Sequence, residues 1–381
     1  MLDRCLRTLL ASAAVDLHVI VVANHCEEPL PALVEESPRV HAVVSEVSLG
    51  FSNANNLGVH WSRQHLGAFD YFYFINNDTA SAPEALGRQI AALRRRPSAA
   101  LAGPTLRILG APDHYNSMGL NVTEDGWGWD EGIGLHVNAY GPQLPTRPVL
   151  AVTGAALLIE AGMFDRVGGW TEAYEYYMED IDLAVKVWKQ GGQVIQVADA
   201  MVYHQISATM TEGSDRKLFF FYRNRILLAL IHWPLGLAWK TLRIARQQAY
   251  DERRDDQPIP KNAYDDLMGR IPKLIRWRWR FRGRMGWARL LRPSGSVPVI
   301  QLPETSSVLE NPETWTLPRL PAPGGEPEDR LRHAQDRIDD LEARLDETQH
   351  MLNQIHESKF WGLWMFTIRL RQWVLRPLRR G

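Results

Sequence analysis

Cysteine is scarce in this sequence: Cys5 and Cys26 are the only two among 381 residues. So few thiols exclude a disulfide framework and fit a reducing compartment. Long apolar runs are missing too. The best candidate, residues 226–239, is about 14 residues long and carries His232 and Pro234, whereas a bilayer-spanning helix needs roughly 20 apolar residues. No basic stretch followed by an apolar core comes after Met1, so no signal peptide is expected. Acid is absent from two segments. Residues 270–292 hold nine Lys/Arg and residues 359–381 hold six, with no Asp or Glu in either. Together they contain six of the 14 tryptophans, and they leave 28 basic against 44 acidic residues elsewhere. An acidic body with two basic, Trp-rich segments predicts an anionic surface as partner. Nothing resembles a nucleic-acid module, so a membrane is expected and nucleic acid is not.

The hydrophobic content of 45% is that of a globular body. Residues 17–22, 40–44 and 71–75 are short apolar runs that read as buried strands. Helix-like stretches lie near 1–13, 53–66 and 83–95, the last opening at Pro83. This alternation predicts an α/β fold with a mostly parallel sheet. Such sheets bind ligands at the carboxyl ends of their strands. Residues 104–148, rich in Gly, Pro, Asn, Asp and Trp, read as an irregular insertion. Residues 150–159 read as a strand interrupted at Gly154, and 179–190 as a helix stopped by Gly191-Gly192. Residues 193–197 and 200–203 read as two extended pieces ending at His204.

Beyond residue 225 the pattern changes. Residues 226–292 read as an amphipathic helical, basic and Trp-rich region, and 293–327 as a Pro-rich linker. A heptad follows over 328–357, with Leu331, Ile338, Leu345 and Leu352 at one seam position and Ala334, Leu341, Thr348 and Ile355 at the other. It predicts a short coiled coil and a homo-oligomer through it. The tail, 358–381, is apolar then basic, which suits the plane of a membrane interface.

Four patches can carry chemistry. Asn76-Asn77-Asp78 closes an apolar strand, where a carboxylate suits a hard divalent cation, although the same triplet is ordinary turn chemistry. Residues 50–58 combine glycine with small polar residues, so the backbone can approach an anionic ligand, or the stretch is a capped strand–helix junction. Glu179, Asp180 and Asp182 crowd the first turn of a helix. They favour its dipole, and one of them is placed to act as a general base. His204 ends an extended piece and, paired with Asp78, could complete a metal site.

The ordered set of motifs resembles an inverting family-two glycosyltransferase of the GT-A fold, of the bacterial rhamnosyltransferase-like kind. The residues that carry the resemblance are Val21-Val22-Ala23-Asn24, Leu49-Gly50-Phe51, Asn55-Asn56-Leu57-Gly58, Asn76-Asn77-Asp78-Thr79, Thr153-Gly154-Ala155, Val167-Gly168-Gly169-Trp170-Thr171-Glu172, Glu179-Asp180-Ile181-Asp182-Leu183, His204 and Tyr222-Arg223-Asn224. It covers residues 1–225. It implies a nucleotide-sugar-binding domain and a transfer with inversion, in cell-surface polysaccharide synthesis. Asp180 would be the base. Asn24, Gly50, Phe51, Asn55, Asn77 and Asp78 would bind a nucleotide-diphospho-sugar, with deoxythymidine-diphospho-rhamnose the leading donor. Asp78 and His204 would hold Mg²⁺ or Mn²⁺. Trp170, Glu172 and Glu179 would lie on the side of a lipid-linked or polysaccharide acceptor. The enzyme would work in the cytoplasm, peripheral to the inner face of the membrane. Two departures stand out: the family's first strand is missing before residue 1, and its strand aspartate is Ala23. They raise the alternative of a non-catalytic, membrane-associated scaffold built on a degenerate domain.

Overall fold

The structure is a computed structural model; it describes residues 1–12, 15–140, 145–205, 215–250, 258–284, 286–298, 300 and 302–303. The expected coiled coil, the basic tail and most of the linker lie outside the described residues. In chain order the elements are α1 (Leu2–Leu10), β1 (Val19–Asn24), α2 (Leu33–Glu36), β2 (Val40–Ser45), α3 (Gly50–His65), β3 (Tyr71–Ile75), β4 (Thr79–Ser81), α4 (Ala85–Arg95), β5 (Ala99–Ile108), β6 (Ala111–Ser117), β7 (Leu120–Val122) and β8 (Gly128–Asp130). There follow β9 (Arg147–Pro148), β10 (Ala156–Glu160), α5 (Ala161–Val167), α6 (Glu179–Lys189), β11 (Gln193–His204), α7 (Asp215–His232), α8 (Leu235–Ala249), α9 (Pro258–Gly269) and α10 (Ile271–Arg280).

The class is α/β, but the sheet is mixed and not mostly parallel. Its order is β3-β10-β5-β11-β4, with β6 and β9 on the flanks. Only β5 and β11 run parallel within it; β10 enters antiparallel between β3 and β5. The strand–helix alternation that predicts parallel pairing ends at β5, because β6 folds straight back on β5. The expected irregular insertion is therefore partly strand. Residues 99–108 form the buried centre of the sheet, where Pro104 lies opposite a break in register between Val197 and Met201. A proline has no N–H to give a ladder, so it survives in a central strand only at such an irregularity. That same irregularity joins the two expected pieces, 193–197 and 200–203, into one strand.

Two cores flank the sheet. One holds Phe72, Phe74, Leu101, Leu157, Ile159 and Trp170, with Leu183 and Val187 of α6. It runs on through Ile226, Leu227, Ile231 and Trp233 to Leu267, Leu274 and Trp287. Residue 225 falls inside α7, and α7–α10 cover this face of the sheet. Pro234 breaks the long helical stretch into α7 and α8 because proline cannot donate within a helix. The other core packs Leu86 and Leu93 of α4 on Leu158, Ile195 and Val202.

β1 and β2 pair in parallel as a separate two-stranded sheet over a small core of Leu6, Val34 and Val40. Between β1 and β3 lies a cavity of about 1120 Å³, lined among others by Leu17, Val19, Ile20, Val22, Phe72 and Ile75. Ala23 is buried and pairs with Val44.

Candidate active site

Three strand ends and one helix start converge beyond the carboxyl end of β3. Asp78 sits in the turn between β3 and β4, and His204 ends β11 beside it. His204 Nε2 lies 3.3 Å from Asp78 Oδ1. On its other side His204 Nδ1 is 2.8 Å from Asn116 Oδ1. An amide oxygen only accepts, so Nδ1 carries a proton and donates to Asn116. Asp78 is 3% exposed, and its Oδ1 has no hydrogen-bond partner. The Asp78 carboxylate and the His204 imidazole converge within 3.3 Å, a donor pair that would suit a divalent cation, with Asn116 orienting the imidazole from behind. The residues present therefore fit the metal expected from the sequence. No third His, Cys, Asp or Glu joins them among the described residues, which leaves coordination positions for ligand oxygens and water.

Asp180 stands on the first turn of α6. Gly154 N–H donates to its Oδ2 at 3.0 Å and Ile181 N–H to its Oδ1 at 2.8 Å. Burial pushes its carboxyl up to about 6, against these backbone donors, which favour the charged form. Glu179, 7% exposed, is pushed well above the carboxylate range by burial and then by the Asp180 charge beside it. Both carboxyls are raised, and only Asp180 has backbone N–H donors that favour its charged form, whereas Glu179 Oε2 is buried without a partner. Asp130, at the end of β8, also belongs to the recess. Burial raises it to about 6, and it feels the charges of Asp180 and His204. Asp130 and Asn116 were invisible to sequence reading because both lie in the segment that looks irregular.

The glycine-rich segment is built around Gly50, whose φ is +72°. A Cβ there would sit 3.0 Å from the Glu175 carbonyl, so glycine is required on two counts. Phe51 N–H donates to that same carbonyl at 2.8 Å. The Phe51 ring stands edge-on to Trp170, with centroids 5.2 Å apart. Gly50 and Phe51 thus adjoin the segment leading to Asp180. Asn77 is exposed next to Asp78. Asn24 accepts from Leu49 N–H at 2.7 Å, which holds the entry to α3. Asn55 donates back to Phe51 O at 2.9 Å and lines the large cavity.

Trp170, expected on the acceptor side, packs in the core against Phe51. It is 2% exposed, wedged between Phe51 and Phe74. Its backbone is held from both sides by the Asn56 amide. An aromatic after two glycines is an anchor here, because Gly168 and Gly169 both take positive φ and turn it inward. Glu172 is exposed on a single 3₁₀ turn.

Below the recess is a buried polar network. Asp182 accepts from Thr171 Oγ1 at 2.7 Å and pairs with Lys186 at 2.9 Å. Its other oxygen is 2.6 Å from His232 Nε2, and Lys189 Nζ is 2.9 Å from His232 Nδ1. Burial opposes the Asp182 charge, yet Lys186 and His232 hold its carboxyl well below the usual range.

A protein-family model described as "Glycosyltransferase like family 2" matches residues 1–225. An N-acetylglucosaminyl-diphospho-decaprenol L-rhamnosyltransferase of Mycobacterium tuberculosis is 25% identical over 266 residues, covering 64% of this chain and 85% of that enzyme. The low-salt glycan biosynthesis hexosyltransferase Agl10 of Haloferax volcanii is 25% identical over 195 residues, 49% of this chain and 59% of its own. Among solved structures, GalNAc-T7 with UDP, GalNAc and Mn²⁺ superposes with a TM-score of 0.51 at 12% identity, over 72% of this chain and 54% of its own. That likeness is one of fold.

Proposed function

The chain belongs to the glycosyltransferase like family 2, and on that premise we propose that Asp180 takes the proton from an acceptor hydroxyl that displaces a nucleoside diphosphate from a donor sugar with inversion. The observation that carries this reading is the placement of Asp180. It is the one carboxylate of the α6 turn held by two backbone N–H groups, and it shares a recess with Asp78 and His204. A base must be ionised and near the hydroxyl it activates. Helix N-terminal N–H groups hold the charge while burial keeps its basicity high. Because the displacement is single, no covalent intermediate forms.

Asp78 and His204 are the residues that would hold a divalent ion, Mg²⁺ or Mn²⁺. When bound, it would neutralise the charge that develops on the leaving diphosphate. Asp130 supplies further negative charge to the same recess. Gly50 and Phe51 would shape the donor side by holding the Glu175 carbonyl, and so the segment leading to Asp180, against the start of α3. The mycobacterial relative is named for a rhamnosyl transfer to a decaprenol-linked diphosphate sugar, which supports a deoxyhexosyl donor and a lipid-linked acceptor. Asp78, Asp180 and His204 all survive and converge, so the degenerate-scaffold alternative finds no support.

Incubation with a panel of nucleotide sugars and a lipid-linked saccharide tests the reading. Transfer should require a divalent ion and stop in excess chelator. Asp78→Ala and His204→Ala should each abolish turnover or raise the metal concentration required. Full activity in chelator would remove both residues from a metal role.

A further inference from the structure

The segment that leads into Asp180 is the most contorted stretch of described backbone. Glu175, Tyr177 and Met178 have φ of +62°, +67° and +71°, and they are three of the four non-glycine residues with positive φ among those described. Left-handed conformations are sterically disfavoured for residues with a Cβ, so the segment holds its shape only if its surroundings impose it. Met178 is the N-cap of α6 and makes no side-chain cap bond. The N-cap side chain therefore does not hold the strained entry to the helix that carries Asp180.

The fixing comes from α7. Asn224 Nδ2 lies 2.9 Å from Tyr174 O, 2.7 Å from Tyr176 O and 2.9 Å from Tyr177 O. Arg223 donates through one guanidinium nitrogen to Ala173 O at 3.1 Å and Tyr174 O at 2.8 Å, and through the other to Glu175 Oε1 at 2.9 Å. Arg223 Nε also donates to Asn224 Oδ1 at 2.9 Å, which turns the amide so that its NH₂ faces the carbonyls. Both side chains are buried, at 2% and 0% exposure. On the opposite side, Phe51 N–H takes the Glu175 carbonyl. The strained segment is thus gripped between the start of α3 and α7.

We propose that Arg223 and Asn224 are positioning residues: they force residues 174–178 into the strained path that aims Asp180 at the acceptor hydroxyl. The proposal rests on Asp180 being the base. It gives the Tyr222-Arg223-Asn224 motif a role without any contact to substrate. An arginine is needed for its planar fork, since lysine cannot reach two carbonyls and orient an amide together. An asparagine is needed because aspartate at 224 would present only acceptors to three carbonyls.

The test uses Asn224→Ala and the milder Arg223→Lys in the full chain, with two readouts. Hydrogen exchange of the amides at 176–181 should quicken at least tenfold in each variant, while β5 and β10 stay as protected as in the parent. kcat should fall tenfold or more with the donor KM within twofold, because Asp78 and His204 stand on other elements. Arg223→Lys keeps a cation beside Glu175 and so keeps the fold testable if Asn224→Ala fails to fold. Unchanged exchange at 176–181 overturns the proposal, and so does quickened exchange with unaltered kcat. A parent chain that transfers no sugar would sink the transferase reading instead, and the exchange arm would still decide whether these two residues hold the segment.

Discussion

Asp180 and Glu179 are neighbours with the same chemistry and opposite assignments. What separates them is the pair of backbone N–H groups on Asp180, from Gly154 and Ile181, against a Glu179 Oε2 that is buried without a partner. Hydrogen bonds to a carboxylate favour its charged form, and burial disfavours it. Asp180→Asn keeps the shape and removes the basicity. It should cut kcat by about 10²-fold or more and leave donor binding nearly intact, as titration calorimetry would show. Since Asp180 has a pKa of about 6, kcat/KM should decline as pH falls through that value and level off above it. An acid limb at the ordinary carboxylate position would argue for a different base.

At the scale of elements, α6 is fixed at both sides of Asp180. Its start is gripped from α7, and two residues past Asp180, Asp182 is tied to Lys186, Thr171 and His232. Asp182 and Lys186 are both essentially buried, so removing the anion leaves the Lys186 ammonium uncompensated. Asp182→Asn should therefore cost about 3–5 kcal/mol, the range for breaking a buried pair from one side, measured by urea unfolding. His232 is lowered from the ordinary 6.5 to about 4, by burial first and Lys189 second. The unfolded chain binds that proton more readily than the folded one. The His232 contribution to stability should thus decline as pH falls from about 6.5 to about 4. A His232→Gln variant should show a shallower acid slope than its parent.

Two features belong to the whole molecule. The first is the cavity of about 1120 Å³ between β1 and β3. Among the described residues β1 pairs only with β2 and β3 only with β10, so each presents an edge without a described partner strand to it. Helix α1 starts beside β3, with the Cys5 thiol against Asn76 O, and its end lines the cavity at Leu9. A short apolar strand fused ahead of Met1 would run through the cavity and lead directly into α1. It should raise Tm and slow amide exchange at both Val19–Asn24 and Tyr71–Ile75. A gain at neither edge would show that the slot does not accept a strand. The second feature is the surface of α8 and α10. Leu235, Trp239, Ile275 and Trp279 are more than half exposed, with Lys240, Arg276 and Arg282 in the same segments. No helix among the described residues is long and apolar enough to cross a membrane. Exposed tryptophan with nearby cations suits the headgroup layer. The double variant Trp239→Ser, Trp279→Ser should sediment less with anionic vesicles than its parent, and neutral vesicles should show little binding of either.

The sequence by itself determined the α/β class, the first three strands, and the motifs that place Asp78, Asp180 and His204. Each of those signals is local: an apolar run of strand length, a carboxylate after it, acids in the first turn of a helix. The direction of the strands was not local. The mixed sheet depends on β10 entering between β3 and β5, a pairing across about 80 residues that no period reveals. Trp170 was expected beside the acceptor, and the burial that the two glycines before it impose was not local either. Asp130 and Asn116 joined the site only because a segment without periodicity folded back over the strand ends. Arg223 and Asn224 stood in the sequence as a motif without a task. The tertiary structure supplied the task by laying α7 against a backbone that cannot hold its own conformation.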